Sequence, residues 1–163
     1  MKHTAGVPLA PADAAALAIH LRAGCRRIVF TNGVFDVLHP GHVRYLSVAR
    51  TLGDVLIVAV NSDRSVQAIK GPTRPVNPEA ERAEVLLALS SVDMVVIFDE
   101  ATPHAIISLV RPDILVKGAD WAEDDIVGRD VVESRGGRVV RVELSPGFST
   151  TRLIQKVREG PAG

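Results

Sequence analysis

The chain has 163 residues, 47% hydrophobic and 23% charged, with 19 basic and 19 acidic side chains. That length suits one domain with a real core, and the balanced charge sets it apart from the basic chains that bind nucleic acid. One cysteine, Cys25, rules out an intrachain disulfide; apolar runs such as Val55 to Val60 are too short to span a membrane, no leader pattern opens the chain, and the expected location is the cytoplasm.

Residues 1 to 10 carry no periodic signal and are expected to be poorly ordered. Pro11-Ala12-Asp13 starts a short packing helix to about Arg22. Arg26 to Thr31 reads as the first strand, and Gly41 to Leu52 as a helix with Val43, Leu46, Val48 and Ala49 at helical spacing. Gly53 suits a left-handed cap at its end. Asp54 to Val60 is apolar after its first residue, the mark of a strand buried on both faces. A short helix to about Ile69 follows Asn61-Ser62-Asp63. Lys70 to Pro78 holds one glycine and three prolines and reads as a loop long enough for a flap. Asn77 is placed to cap the next helix, with Pro78 at its first position and Val85, Leu86, Leu87 and Leu89 as its apolar side.

The third strand spans Val92 to Phe98, and a helix runs from Thr102-Pro103 to about Val110. The fourth strand, Asp113 to Val116, leads into Lys117-Gly118-Ala119-Asp120-Trp121. A helix from about Asp125 to Arg135, a fifth strand from Gly137 to Leu144 and a last helix from Ser149 to about Arg158 complete the pattern. Residues 1–25 thus form an N-terminal segment, 26–158 the domain and 159–163 a tail. Strands alternating with helices imply an α/β fold: a Rossmann-like, doubly wound, five-stranded parallel sheet in three layers. The order 3-2-1-4-5 is the simplest fit. Ligands then bind beyond the carboxyl ends of strands one and four, where the order reverses.

The segment after strand one is Thr31-Asn32-Gly33-Val34-Phe35-Asp36-Val37-Leu38-His39-Pro40-Gly41-His42. Residues three apart at a helix start share a face, so both imidazoles can point one way. A helix start also offers free N–H groups and partial positive charge, which suit phosphate. Two histidines above it are placed to stabilise charge on a transferring phosphoryl group. A zinc site is a poorer fit, because zinc takes three or four ligands and no third is evident. Asp36 beside a phosphate site needs a hydroxyl or cation partner, or else is a buried turn aspartate. Lys70, Arg74 and Arg82 are cations near the flexible segment, suited either to phosphate or to a solvated surface. Trp121 offers a face for stacking or for packing.

The signature G-x-F-D-x-x-H-x-G-H after a first strand resembles the nucleotidyltransferase superfamily with the HxGH motif, in its cytidylyltransferase-like branch. TNGVFDVLHPGH, VNSD, KGPTRPVN, LVKGAD and STT are most similar to the adenylyltransferase domains that make ADP-heptose from heptose 1-phosphate. The resemblance covers roughly residues 26 to 158 and also bears on the strand order above. It implies that His39 and His42 hold phosphates and stabilise the transition state, joined by Lys70 as a third catalytic group. Gly33, Val34, Phe35, Gly41, Lys117, Gly118, Asp120, Ser149, Thr150 and Thr151 are implied in nucleotide binding, and Asp36, Asn61 and Arg82 in acceptor and phosphate binding. Ala119 stands where the K-G-G-D pattern often has glycine. Leu144-Ser145-Pro146-Gly147-Phe148 replaces the R-T-E-G-I of glycerol-phosphate cytidylyltransferases, which argues against that subgroup.

The expected activity is therefore transfer of AMP from ATP to a sugar 1-phosphate, most closely D-glycero-β-D-manno-heptose 1-phosphate. Mg²⁺ accompanies the ATP, and no dedicated metal cage is expected. The alternatives are a cytidylyltransferase acting on glycerol 3-phosphate or a similar phosphate, and a non-catalytic nucleotide-binding module. The resemblance also allows a homodimer.

Overall fold

The computed structural model describes residues 7–143 and 146–160. Five parallel strands, β1 (Ile28–Gly33), β2 (Val55–Asn61), β3 (Met94–Phe98), β4 (Ile114–Gly118) and β5 (Arg138–Val142), form one sheet in the order β3-β2-β1-β4-β5. The helices are α1 (Pro11–Ala23), α2 (Pro40–Arg50), α3 (Asp63–Lys70), α4 (Glu79–Ala88), α5 (His104–Val110), α6 (Arg129–Glu133) and α7 (Thr150–Glu159). The expected order and the reversal between β1 and β4 are both present.

Alternation along the strands splits the core into two layers. Phe30, Ile57, Val96 and Leu115 pack with Ala14 and Ala18 of α1 and Ile106, Ile107 and Val110 of α5 on one face. Val29, Leu56, Val58 and Val116 pack with Leu46 and Ala49 of α2 and Ala83 and Leu86 of α4 on the other. Every residue of β2 is buried, as its unbroken apolar run implies. Three aspartates pin the amino ends of the strands. Asp54 accepts from Arg27 N at 2.7 Å, Asp93 from Leu56 N at 2.8 Å and Asp113 from Ile28 N at 2.7 Å.

Several local expectations are corrected. The boundaries of β1, β3 and β5 shift by up to two residues, and Glu123–Asp125 is a 3-10 turn ahead of a shorter α6. Residues 1–6 lie outside the described residues, but Leu9 is paired: its N–H donates to Val95 O at 2.8 Å along β3. Gly53 is not a left-handed cap, since Thr51 ends α2 in right-handed geometry. Its smallness matters instead, because a Cβ there would lie 2.9 Å from Arg27 O and 2.7 Å from Val29 Cγ2. Pro78, not Asn77, precedes α4, and no side chain caps it. Asn77 Nδ2 donates to Asp36 O at 2.7 Å. The inward side of α4 is Arg82, Ala83 and Leu86, while Val85 is half exposed.

Candidate active site

The carboxyl ends of β1, β2 and β4 and the starts of α2 and α7 enclose a cavity of about 600 Å³. β1 delivers Asn32 and Gly33 to its floor. Phe35 then turns in left-handed geometry, φ 48°, and folds its ring back over Gly33. A Cβ at residue 33 would sit 3.0 Å from Phe35 Cε2, so glycine is what allows that fold-back.

His39 is the N-cap of α2, with His42 N directed to its Nδ1 at 3.4 Å, and Pro40 opens the helix with its fixed φ. The two imidazoles stack, with centroids 3.8 Å apart and planes 17° apart. Phe148 stacks on the far side of His39 at 5.7 Å, and Phe35 meets His42 edge-on at 5.4 Å. Gly41 lies beneath this stack. A Cβ there would approach His39 Nδ1 and Phe148 Cβ at 3.0 Å each. Burial, and then the neighbouring His39, pushes the His42 pKa down to about 4. Burial also lowers that of His39. Both shifts favour the neutral form of the ring in the free protein. His42 Nδ1 is buried without a hydrogen-bond partner among the described residues.

Lys117, at the end of β4, is 7% exposed. Its Nζ donates to Asn32 Oδ1 and lies 5.7 Å from the centre of the Trp121 ring. Burial pushes its pKa down to about 8. Tyr45 and Thr31 share a buried hydroxyl–hydroxyl contact of 2.8 Å at the base of α2. Ser149 caps α7, and Thr150 Oγ1 donates to Val37 O at 3.0 Å, tying this last helix to the histidine segment. Helix α7 buries none of its own residues against the body.

Most residues singled out from the sequence meet here. Gly33, Val34, Phe35, His39, Gly41, His42, Asn61, Lys70, Lys117, Gly118, Asp120, Ser149, Thr150 and Thr151 all line the cavity, and so does Trp121. Lys70 ends α3 with an exposed side chain. Asn61 donates its Nδ2 to Ser65 Oγ at 3.1 Å.

Two candidates for substrate contact are not brought to the cavity. Arg82 is 2% exposed, and its guanidinium is occupied on every nitrogen. Nε donates to Asn77 O at 3.0 Å, Nη1 to Val34 O at 2.6 Å, and Nη2 to Asn61 O and Asp63 Oδ1 at 2.8 Å each. It clamps the β1 turn, the end of β2 and the flap together, with four of its five N–H donors committed to protein acceptors and none of its atoms in the cavity wall. Asp36 is 3% exposed and turned the other way. It accepts from Arg74 Nε at 2.6 Å, Val76 N at 2.8 Å and Asn77 N at 2.9 Å. Burial alone would raise its pKa; the amides of Asn77 and Val76 and the Arg74 guanidinium outweigh that and hold it below the usual carboxylate range. Arg74 is thus the ion-pair partner that fixes the flap. Sequence reasoning missed Asn32, Tyr45 and Phe148. Asn32 and Tyr45 are recognisable only once their buried partners are known, and Phe148 only once the chain's end folds over the helix start.

The cytidylyltransferase-like family model matches residues 30–156. The chain is 57% identical over 136 residues to the bifunctional protein HldE of Gluconobacter oxydans, covering 83% of this chain and 28% of that protein. It is 58% identical over 132 residues to the bifunctional protein HldE of Acidiphilium cryptum, covering 81% and 27%. The chain therefore spans less than a third of the length of these curated relatives. Among solved structures, a lipopolysaccharide core biosynthesis protein from Thermoplasma volcanium is similar at a TM-score of 0.60 and 32% identity, over 74% of this chain and 97% of that one. A protein of unknown function from Archaeoglobus fulgidus aligns at 0.56 and 25%, over 76% and 93%.

Proposed function

The chain belongs to the cytidylyltransferase-like family of nucleotidyltransferases, and on that premise we propose that it transfers AMP from ATP to a sugar 1-phosphate, D-glycero-β-D-manno-heptose 1-phosphate being the favoured acceptor. The observation that carries the reading is the stacked His39–His42 pair above Gly41, with Ser149, Thr150 and Lys117 around one cavity. The choice of adenine and heptose rests on the sequence resemblance. The similar lipopolysaccharide core biosynthesis protein supports the same direction.

In this reading an oxygen of the acceptor phosphate attacks the α-phosphorus of ATP. The bond to the β-phosphate breaks, and pyrophosphate leaves. The acceptor is already ionised, so no general base is required, and catalysis comes from positioning and charge stabilisation. The half-buried imidazoles, whose neutral forms are favoured in the free protein, suit this task. An arriving triphosphate supplies the opposite charge that raises their pKa values, and it can give the unpartnered His42 Nδ1 an acceptor. Lys117 and Lys70 bring positive charge from two sides, while Ser149 and the free amides at the start of α7 are suited to the β- and γ-phosphates. A buried nitrogen without a partner costs about 1–3 kcal/mol, a cost tolerable where a ligand completes the site.

Mg²⁺ belongs to the same proposal. No group of three or more His, Cys, Asp or Glu side chains among the described residues gathers to hold a metal, and Asp120 is the carboxylate in the cavity wall. That donor set fits an ion that keeps its waters and relies on one or two carboxylates plus substrate phosphates. When bound, the ion would offset triphosphate charge, with Asp120 as its protein contact. Among the described residues no helix is long and apolar enough to cross a membrane.

The test is pyrophosphate release with Mg²⁺, offering ATP, CTP and GTP against heptose 1-phosphate and glycerol 3-phosphate. Release only with ATP and the heptose phosphate is expected. Release with CTP and glycerol 3-phosphate would overturn the substrate assignment, and binding of ATP without release in any pairing would overturn transfer itself.

A further inference from the structure

At the opposite, amino end of the sheet a second cavity of about 330 Å³ opens beside the starts of β1, β4 and β5. Its floor is built rather than incidental. Asp113 is fixed by Ile28 N at 2.7 Å, and Arg138 N donates to Asp113 O at 3.0 Å. Gly137 crosses so close that a Cβ there would lie 2.6 Å from Asp113 O. The walls are three exposed arginines, Arg27, Arg135 and Arg138. None of them forms an ion pair with a carboxylate among the described residues.

The surrounding field is positive as well. Arg22, anchored on Val110 O at 2.7 Å and Arg111 O at 3.1 Å, borders the same region. Its pKa is lowered by burial first and then by Arg135 and Arg111, with Asp113 opposing. Arg27, Arg135 and Arg138 line the cavity and Arg22 and Arg111 lie beside it, against the carboxylates of Asp113 and of Asp54, which accepts from Arg27 N at 2.7 Å, so cations outnumber anions here in a chain whose overall charge is zero. Like charges so placed repel one another unless an anion joins them, and the flat fork of arginine matches the paired oxygens of a phosphate.

We propose that this concavity is a binding site for a small phosphate-type oxyanion, separate from the candidate active site and independent of the reaction assigned to it. Arg27, Arg135 and Arg138 supply the donors. Asp113, already engaged by Ile28 N, shapes the floor and disfavours deep entry, so the anion sits between the guanidinium groups near the rim.

The experiment is a titration of the whole chain with inorganic phosphate and, separately, pyrophosphate, following the backbone amides of Gly136, Gly137 and Arg138 by NMR. Potassium chloride of equal ionic strength is the control. The expected result is a saturable shift with a half-point of about 1 mM, absent with chloride and weakened roughly tenfold or more in R135Q/R138Q. The distant charge control R158Q should leave the shift unchanged. Because Arg135 and Arg138 are exposed, the double variant should keep its far-UV spectrum and its pyrophosphate-release activity. Non-saturable shifts, equal shifts with chloride, or shifts that survive in R135Q/R138Q would overturn the site. A response to pyrophosphate alone would restrict the ligand to diphosphates, and a response to both assigns it to phosphate groups in general.

Discussion

Replacing Arg82 with methionine separates a structural clamp from a phosphate-binding cation. Methionine is of similar length and leaves little void, so the loss is mainly polar. Four hydrogen bonds disappear, three of them to the carbonyls of Val34, Asn61 and Asn77 and one to Asp63. At about 1 kcal/mol net each the sum is about 4 kcal/mol, a lower bound because every donor here is charged. Removing one partner of a buried pair typically costs about 3–5 kcal/mol, and the 35% exposure of the Asp63 side chain places this case toward the lower end. Against a total stability of about 5–15 kcal/mol, the variant should show a large fall in its urea midpoint by circular dichroism. Arg82→Lys should fall nearly as far, because one ammonium cannot reach four acceptors in a fork arrangement. A midpoint within about 1 kcal/mol of the parent, together with a raised KM for nucleotide that lysine restores, would refute the clamp and return Arg82 to the substrate.

His39→Ala and His42→Ala should each lower turnover by about two orders of magnitude or more, by analogy with removal of a single charge-stabilising donor. Both should leave the fold intact by circular dichroism, and near-normal steady-state kcat in both would remove the pair from the chemistry. His42 also makes stability depend on pH. Its folded pKa of about 4 lies below the ordinary 6.5, so the unfolded chain binds the proton more readily, and stability should fall as pH drops from about 6.5 toward 4. The drop should be about 2 kcal/mol after allowing for the ring's partial exposure, and His42→Gln should flatten that part of the urea-midpoint profile. Asp36→Asn keeps the shape but loses the charge that holds Arg74 and the flap amides. It should speed limited proteolysis within residues 71–78 and raise the acceptor KM more than it lowers kcat, whereas an unchanged cleavage rate would argue against flap anchoring.

The sheet was legible because β2 and the strands around it announce burial directly: a continuous apolar run such as Val55 to Val60 has few places to go except a covered parallel sheet. The histidine segment was legible because spacing and a strand-to-helix position together restrict what two imidazoles can face. Polar residues whose partners lie far along the chain were harder. Arg82 and Asp36 are charged residues that the sequence associates with the histidine segment proposed to hold phosphate, and by type alone both suit a ligand. Their commitment to Asn77, Val76 and Arg74 depends on how the loop after α3 folds back, which no local pattern specifies. Gly53 shows the same limit, since its need for smallness comes from Arg27 and Val29 on the neighbouring strand and not from its own turn. On the apolar side expected for α4 only Val85 was misplaced, since Leu86, Leu87 and Leu89 do pack toward the core; what the pattern could not show is that Arg82 is buried beside them.

The contact from Thr150 Oγ1 to Val37 O joins residues 113 positions apart, and Phe148 completes the stack over His39. During synthesis, the first histidine segment leaves the ribosome long before the partners that finish its pocket. Domains form as the chain emerges from its amino end, so the sheet can assemble while this pocket still lacks a wall. Closure of the proposed nucleotide pocket therefore has to wait for helix α7, and a chain cut shortly before residue 148 should keep all five strands yet lose one wall of that pocket.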